Sequence, residues 1–107
     1  MASDLEGLTP ANATVQVDNV QVRVTRWHFP PGTETGWHTH GLDYVVVPTL
    51  PGTLTIIGTD GTRREYGYVP GESYHRARGA EHNVVNLSDE TVEFVEIELK
   101  DIAEAGA

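Results

Sequence analysis

Apolar and polar residues alternate along most of this chain with a period of two. That is the pattern of β-strands, whose side chains point to opposite faces in turn. Val20 to Phe29 alternates in this way and stops at Pro30-Pro31-Gly32. Asp43 to Val47 is a β-branched run closed by Pro48, and Leu54 to Ile57 follows the turn Pro51-Gly52. Asp60-Gly61, between that segment and Thr62 to Tyr66, predicts a hairpin, because both residue types accept the backbone a tight turn needs. Pro70-Gly71 marks a turn before Ser73 to Arg76, His82 to Asn86 starts another strand, and Val92 to Leu99 alternates almost to the end. Short strands divided by Gly and Pro predict a sandwich or barrel. No amphipathic stretch of helical length interrupts them, which argues against an α/β sheet. Lys100 to Glu104 reads at most as a short closing helix.

The first fourteen residues are polar and weakly periodic, and read as a loose arm or a short edge strand. The expected division is an N-terminal arm over 1–14, a barrel over 15–100 and a C-terminal tail over 101–107. At 107 residues the chain is long enough for one packed core. Sixteen acidic residues against seven Lys plus Arg give a formal charge of −9. That balance argues against a nucleic acid or an anionic membrane surface as partner. The absence of cysteine excludes disulfides and thiol chemistry. With neither a secretion-signal pattern nor an apolar stretch of membrane-spanning length, a soluble cytoplasmic protein is expected.

The chemistry concentrates on histidine. His38 and His40 flank Thr39, so on an extended strand both imidazoles fall on one side of the sheet. Inside a barrel that pair becomes two adjacent ligands for a divalent metal. His82, in Gly79-Ala80-Glu81-His82-Asn83-Val84-Val85-Asn86, supplies a third. Three imidazoles suit Fe, Mn, Ni, Cu or Zn and leave coordination positions open. With no carboxylate in the set, the ion's double charge favours a small anionic ligand or substrate.

These residues resemble two motifs of the cupins, double-sheet jelly rolls. The first is Gly, five residues, His-x-His, three or four residues, Glu, six residues, Gly; here Gly32, His38 and His40 match, with Gly52 somewhat late. The second is Gly, five residues, Pro-x-Gly, two residues, His, three residues, Asn. Gly71, Gly79, His82 and Asn86 fall on it, and Ala77 replaces the proline. The runs Asp43 to Pro48 and Ser73 to Asn86 are further similar to small single-domain cupins of the conserved-barrel type described as β-alanine degradation proteins. The resemblance implies an all-β jelly-roll barrel, one divalent ion on His38, His40 and His82, and an activity on a small organic acid. That activity is of dioxygenase or Lewis-acid type, with a noncatalytic ligand-binding protein as the alternative. Exposed sheet edges in a jelly roll this small also predict a homodimer.

The resemblance has one departure. Many metal-binding cupins place a glutamate ligand after the second histidine, and the matching position here is Tyr44. Alternation turns Tyr44 inward with the histidines and Asp43 outward. Tyr44 is then either a hydrogen-bond donor to a bound water or substrate, a catalytic role, or core filler whose hydroxyl finds a backbone partner. Arg26 shares a face with Val24 and His28; it either lines the pocket and binds a carboxylate, or points outward. Asn86 is a substrate-orienting candidate with a structural role as its alternative. His75 is read as partly exposed, Trp27 and Trp37 as structural. Phe94, opposite in face to Val95, Ile97 and Leu99, either joins a subunit contact or packs in its own chain. No general base is evident: Glu34 falls in a loop and Glu81 points away from His82.

Overall fold

The computed structural model describes residues 4–101, and within them the chain is all β. Eleven strands follow in order: β1 (Thr9–Pro10), β2 (Asn12–Asp18), β3 (Val22–Phe29), β4 (Thr33–Glu34), β5 (His38–Thr39), β6 (Asp43–Leu50), β7 (Gly52–Gly58), β8 (Arg63–Tyr68), β9 (Tyr74–Arg76), β10 (Glu81–Val85) and β11 (Val92–Leu99). They form two sheets. One runs β2-β3-β11-β6-β9; the other runs β1-β4-β10-β7-β8, with β5 also paired to β10. Every pairing is antiparallel except the short parallel β1–β4 contact. This is the double-sheet jelly roll that the resemblance implies, one of the sandwich or barrel forms that the strand spacing predicts, and no helix among the described residues is long and apolar enough to cross a membrane.

Alternation sets what lies between the sheets. Thr25 and Phe29 of β3, Tyr44 and Val46 of β6, and Val92 and Phe94 of β11 are buried on the inner face. All of these but Thr25 cluster with Leu54, Tyr68 and Val84 from the facing sheet. Phe94 packs at ring-centroid distances of 5.5 Å from Phe29 and 5.6 Å from Tyr68, so it belongs to its own chain's core and not to a subunit contact.

Turn chemistry behaves as the sequence dictates at Asp60-Gly61. Gly61 takes φ +84°, and the Asp60 carboxylate accepts from the Thr62 backbone N–H and hydroxyl. Gly52 has a second requirement besides its φ of +147°: a Cβ there would come 2.6 Å from Val92 Cγ2. Pro48, by contrast, does not close β6. The strand continues to Leu50 through a bulge, where Phe94 pairs with Pro48 and Glu93 with Leu50, leaving Thr49 as the extra residue.

Part of the segment read as a loose arm or a short edge strand is sheet: Thr9–Pro10 pairs with β4, and β2 begins at Asn12 as an edge strand on β3. The expected tail and closing helix lie, beyond Asp101, outside the described residues.

Candidate metal centre

His38 stands on the two-residue β5 and His40 just beyond it, held by reciprocal backbone bonds. His40 N–H donates to Ala80 O at 2.9 Å, and Gly79 N–H donates to His40 O at 2.8 Å. β5 pairs with β10 so that His38 lies directly opposite His82. The loop before β5 is fastened by Asn83, whose amide oxygen accepts from Gly36 N–H at 3.0 Å and whose NH2 donates to Glu34 at 2.8 Å. Glu34 is thereby occupied, and Glu81 is exposed.

The three side chains converge. His40 Nε2 is 3.0 Å from His38 Nε2 and 3.1 Å from His82 Nε2, and the ligand atoms of all three lie within 4.8 Å of one another. Nitrogen atoms about 2.1 Å from a shared ion stand roughly 3.0 Å apart at right angles and roughly 3.4 Å apart in a tetrahedron. The two separations from His40 match right-angled neighbours.

Tautomers fit as well. His38 Nδ1 lies 2.9 Å from Gly36 O, and only a protonated Nδ1 can donate to a carbonyl, which leaves the Nε2 lone pair free. Burial, followed by the charges of its histidine neighbours, lowers His40 to about 4. Burial and then His38 lower His82 equally, to about 4. Both imidazoles are neutral at pH 7, the form that binds a metal. The cluster is capable of coordinating one divalent ion.

The histidines form one wall of a cavity of about 140 Å³ between the sheets, lined also by Trp27, Tyr44, Arg64, Tyr68, Tyr74, Arg76 and Glu96. Tyr44 points inward as alternation requires. Its ring stacks on His40 at 3.9 Å, and its hydroxyl has no hydrogen-bond partner among the described residues. Burial, reinforced by nearby Glu96, pushes that hydroxyl up to about 12, so it is a neutral donor and not a phenolate. Asp43 faces outward and accepts from Arg78.

Glu96 is the residue that sequence reading missed. It is buried in β11, with Oε1 4.0 Å from His40 Nε2. Burial, then the charge of Glu98, pushes its carboxyl up to about 7, while the Trp27 indole donates toward it and opposes the shift. Alternation puts Glu96 on Phe94's face, but only the fold shows that face to be the inner one.

Two expected substrate contacts are elsewhere. Arg26 is exposed on the outer face of β3, where it and His28 bind Glu93 at 2.8 and 2.7 Å. Trp27, its neighbour, takes the inward position. Asn86 is fully buried, but all of its amide is spent on a turn: its NH2 donates to Phe29 O and Glu90 O, and its oxygen accepts from Ser88 N–H and Oγ. It does not line the cavity. His75 is exposed, opposite Val45, and Trp37 is 56% exposed outside the cavity.

Comparison with known proteins agrees with this architecture. Residues 25–98 match the family model described as Cupin domain. The chain is 51% identical over 96 residues to the β-alanine degradation protein BauB of Pseudomonas aeruginosa, covering 90% of this chain and all of that protein. It superposes on a cupin domain from Bordetella pertussis Tohama I with TM-score 0.83 and 50% identity, over 88% of this chain and 97% of that one. An RmlC-like cupin with a double-stranded β-helix from Methanocaldococcus jannaschii shares the fold, with TM-score 0.72 at 14% identity over 95% and 91% of the two chains. With a family model spanning most of its length and two relatives near half identity, the chain belongs to the cupin domain family.

Proposed function

We propose that this protein is a metal-dependent cupin enzyme that acts on a small organic acid. The observation that carries the reading is the convergence of three Nε2 atoms, two of them on imidazoles held neutral at pH 7, beside a cavity between the sheets. A divalent ion held there supplies Lewis-acid charge and open coordination positions, and, if redox-active, a site for oxygen chemistry. The chain's own residues do the rest. Tyr44 offers a neutral phenol as donor, and Glu96 is the carboxylate within the cavity that can take a proton from a bound molecule. Aromatic walls from Trp27, Tyr68 and Tyr74 restrict water.

The cavity has nearly the volume of one known to hold benzene, about 150 Å³, which limits the substrate to a few carbons. Degradation of β-alanine, for which the Pseudomonas relative is named, concerns a molecule of that size. The test is turnover. Protein loaded in turn with Fe(II), Mn(II), Ni(II), Cu(II) and Zn(II) is assayed for oxygen uptake and product formation with two- to four-carbon acids. Metal-dependent turnover that is lost in His82→Ala supports an enzyme. Tight metal binding with no turnover on any acid would favour a ligand-binding cupin.

A further inference from the structure

The chain has seven Lys plus Arg residues against sixteen acids, so each cation has carboxylates to choose from. Five take them: Arg23 pairs with Asp18 and Glu98, Arg26 with Glu93, Arg63 with Asp4, Arg78 with Asp43 and Asp101, and Lys100 with Asp18. The two that have no carboxylate partner among the described residues are Arg64 and Arg76, and both line the cavity of the histidine cluster.

Their placement follows from register. Arg76 on β9 lies opposite Tyr44 of β6, so it shares Tyr44's inward face. Its guanidinium is set over the Tyr74 ring at 4.5 Å and reaches toward Tyr66 at 5.8 Å, and its one hydrogen bond goes to the carbonyl of His75. That arrangement orders the side chain while leaving most of its donors unused. Arg64 on β8 lies opposite Ile56, which in turn faces Val84, so the row Arg64–Ile56–Val84 crosses the cavity wall. Arg64 is exposed, at the open end of that row.

We propose that Arg64 and Arg76 bind the carboxylate of the substrate, so that the pocket selects small monocarboxylates over neutral molecules of the same shape. This rests on the metal-dependent reading of the same site. A carboxylate fits better than a phosphate for two reasons. The cavity is small, and the buried Glu96 would repel a dianion more strongly than a singly charged group. Guanidinium groups match carboxylate geometry through paired N–H donors, which is the recognition their free forks allow.

The experiment uses cobalt-loaded protein, whose visible absorption reports the histidine site independently of the arginines. Propionate, propionamide and inorganic phosphate serve as probes in ligand-observed NMR titrations. The expected result is propionate binding about tenfold tighter than propionamide and tighter than phosphate. Arg64→Gln and Arg76→Gln each lose about that factor for propionate alone, Arg76→Lys recovers part of it, and the cobalt spectrum is unchanged throughout. Propionate affinity unaltered in both Gln variants, or phosphate bound as well as propionate, overturns the proposal. If wild type fails to take up cobalt, the metal reading fails instead; the same titrations on the metal-free protein then still decide the arginines.

Discussion

The phenol ring of Tyr44 lies on the imidazole of His40, with centroids 3.9 Å apart and planes 20° from parallel. The contact joins a residue where many metal-binding cupins carry a glutamate to the most buried member of the histidine cluster. Stacking fixes the ring and leaves the hydroxyl to the cavity. Packing and chemistry at this position are therefore separable.

Tyr44→Phe keeps the stack and removes only the donor. We expect the metal content and thermal midpoint to stay near wild type while turnover on the substrate falls at least tenfold. Parallel metal analysis, calorimetry and rate measurements check this. An unchanged rate would assign Tyr44 to packing alone.

Glu96 makes a prediction about pH in the metal-free protein. Its folded-state carboxyl is raised from 4.5 to about 7, chiefly by burial, so the folded chain keeps the proton longer than the unfolded one. The associated stability is complete below about pH 4.5 and is lost as pH rises through about 7. The full swing is on the order of 3 kcal/mol. Denaturation of wild type and Glu96→Gln at pH 5 and pH 8 checks it: the variant gains on wild type at the higher pH. A difference that does not depend on pH contradicts the placement of Glu96.

His40 and His82 shift the other way. Lowered from 6.5 to about 4, they stay neutral in the folded metal-free chain while the unfolded chain takes up protons. Stability from these two is present above about pH 6.5 and is lost as pH falls toward 4. Their ring C–H resonances should titrate near 4 by NMR. Titration near 6.5 would mean that the histidines are not gathered as described.

Asn86 and Arg26 should act on stability or surface charge and leave ligand binding intact. Asn86→Ala removes four hydrogen bonds from a buried turn and should cost about 2–4 kcal/mol. Arg26→Ala breaks an outer ion pair and should cost about 1 kcal/mol or less. Propionate affinity unchanged in both variants is the expected control.

The histidine pair, Tyr44 on the histidines' face and the Asp60-Gly61 hairpin were legible because each depends on local geometry alone: a period of two, or a turn's φ. Arg26 and Glu96 were not, and for one shared reason. A strand's alternation says which residues share a face but not which face is inside. The usual guide, that apolar residues point in, reverses around this cavity. The inner side of β11 carries Phe94 and Glu96, whereas Val95 and Ile97 lie on the outer side. There Ile97 joins Val24 of β3 and Val45 of β6 in a cross-strand row. A barrel that keeps polar groups inside for chemistry defeats a rule based on dry cores. For Asn86 the spacing from His82 left a substrate-orienting and a structural role open, because it says nothing about the Phe29 and Glu90 carbonyls that occupy its amide.

The central claim is that His38, His40 and His82 hold one divalent ion together. Elemental analysis of protein purified without a metal-chelating tag, and of the same protein after loading, tests it most directly. The account predicts about one equivalent in wild type, lost in both His38→Ala and His82→Ala, with the fold retained by circular dichroism. A wild type that neither carries nor takes up any such metal, or variants that keep a full equivalent, would contradict it.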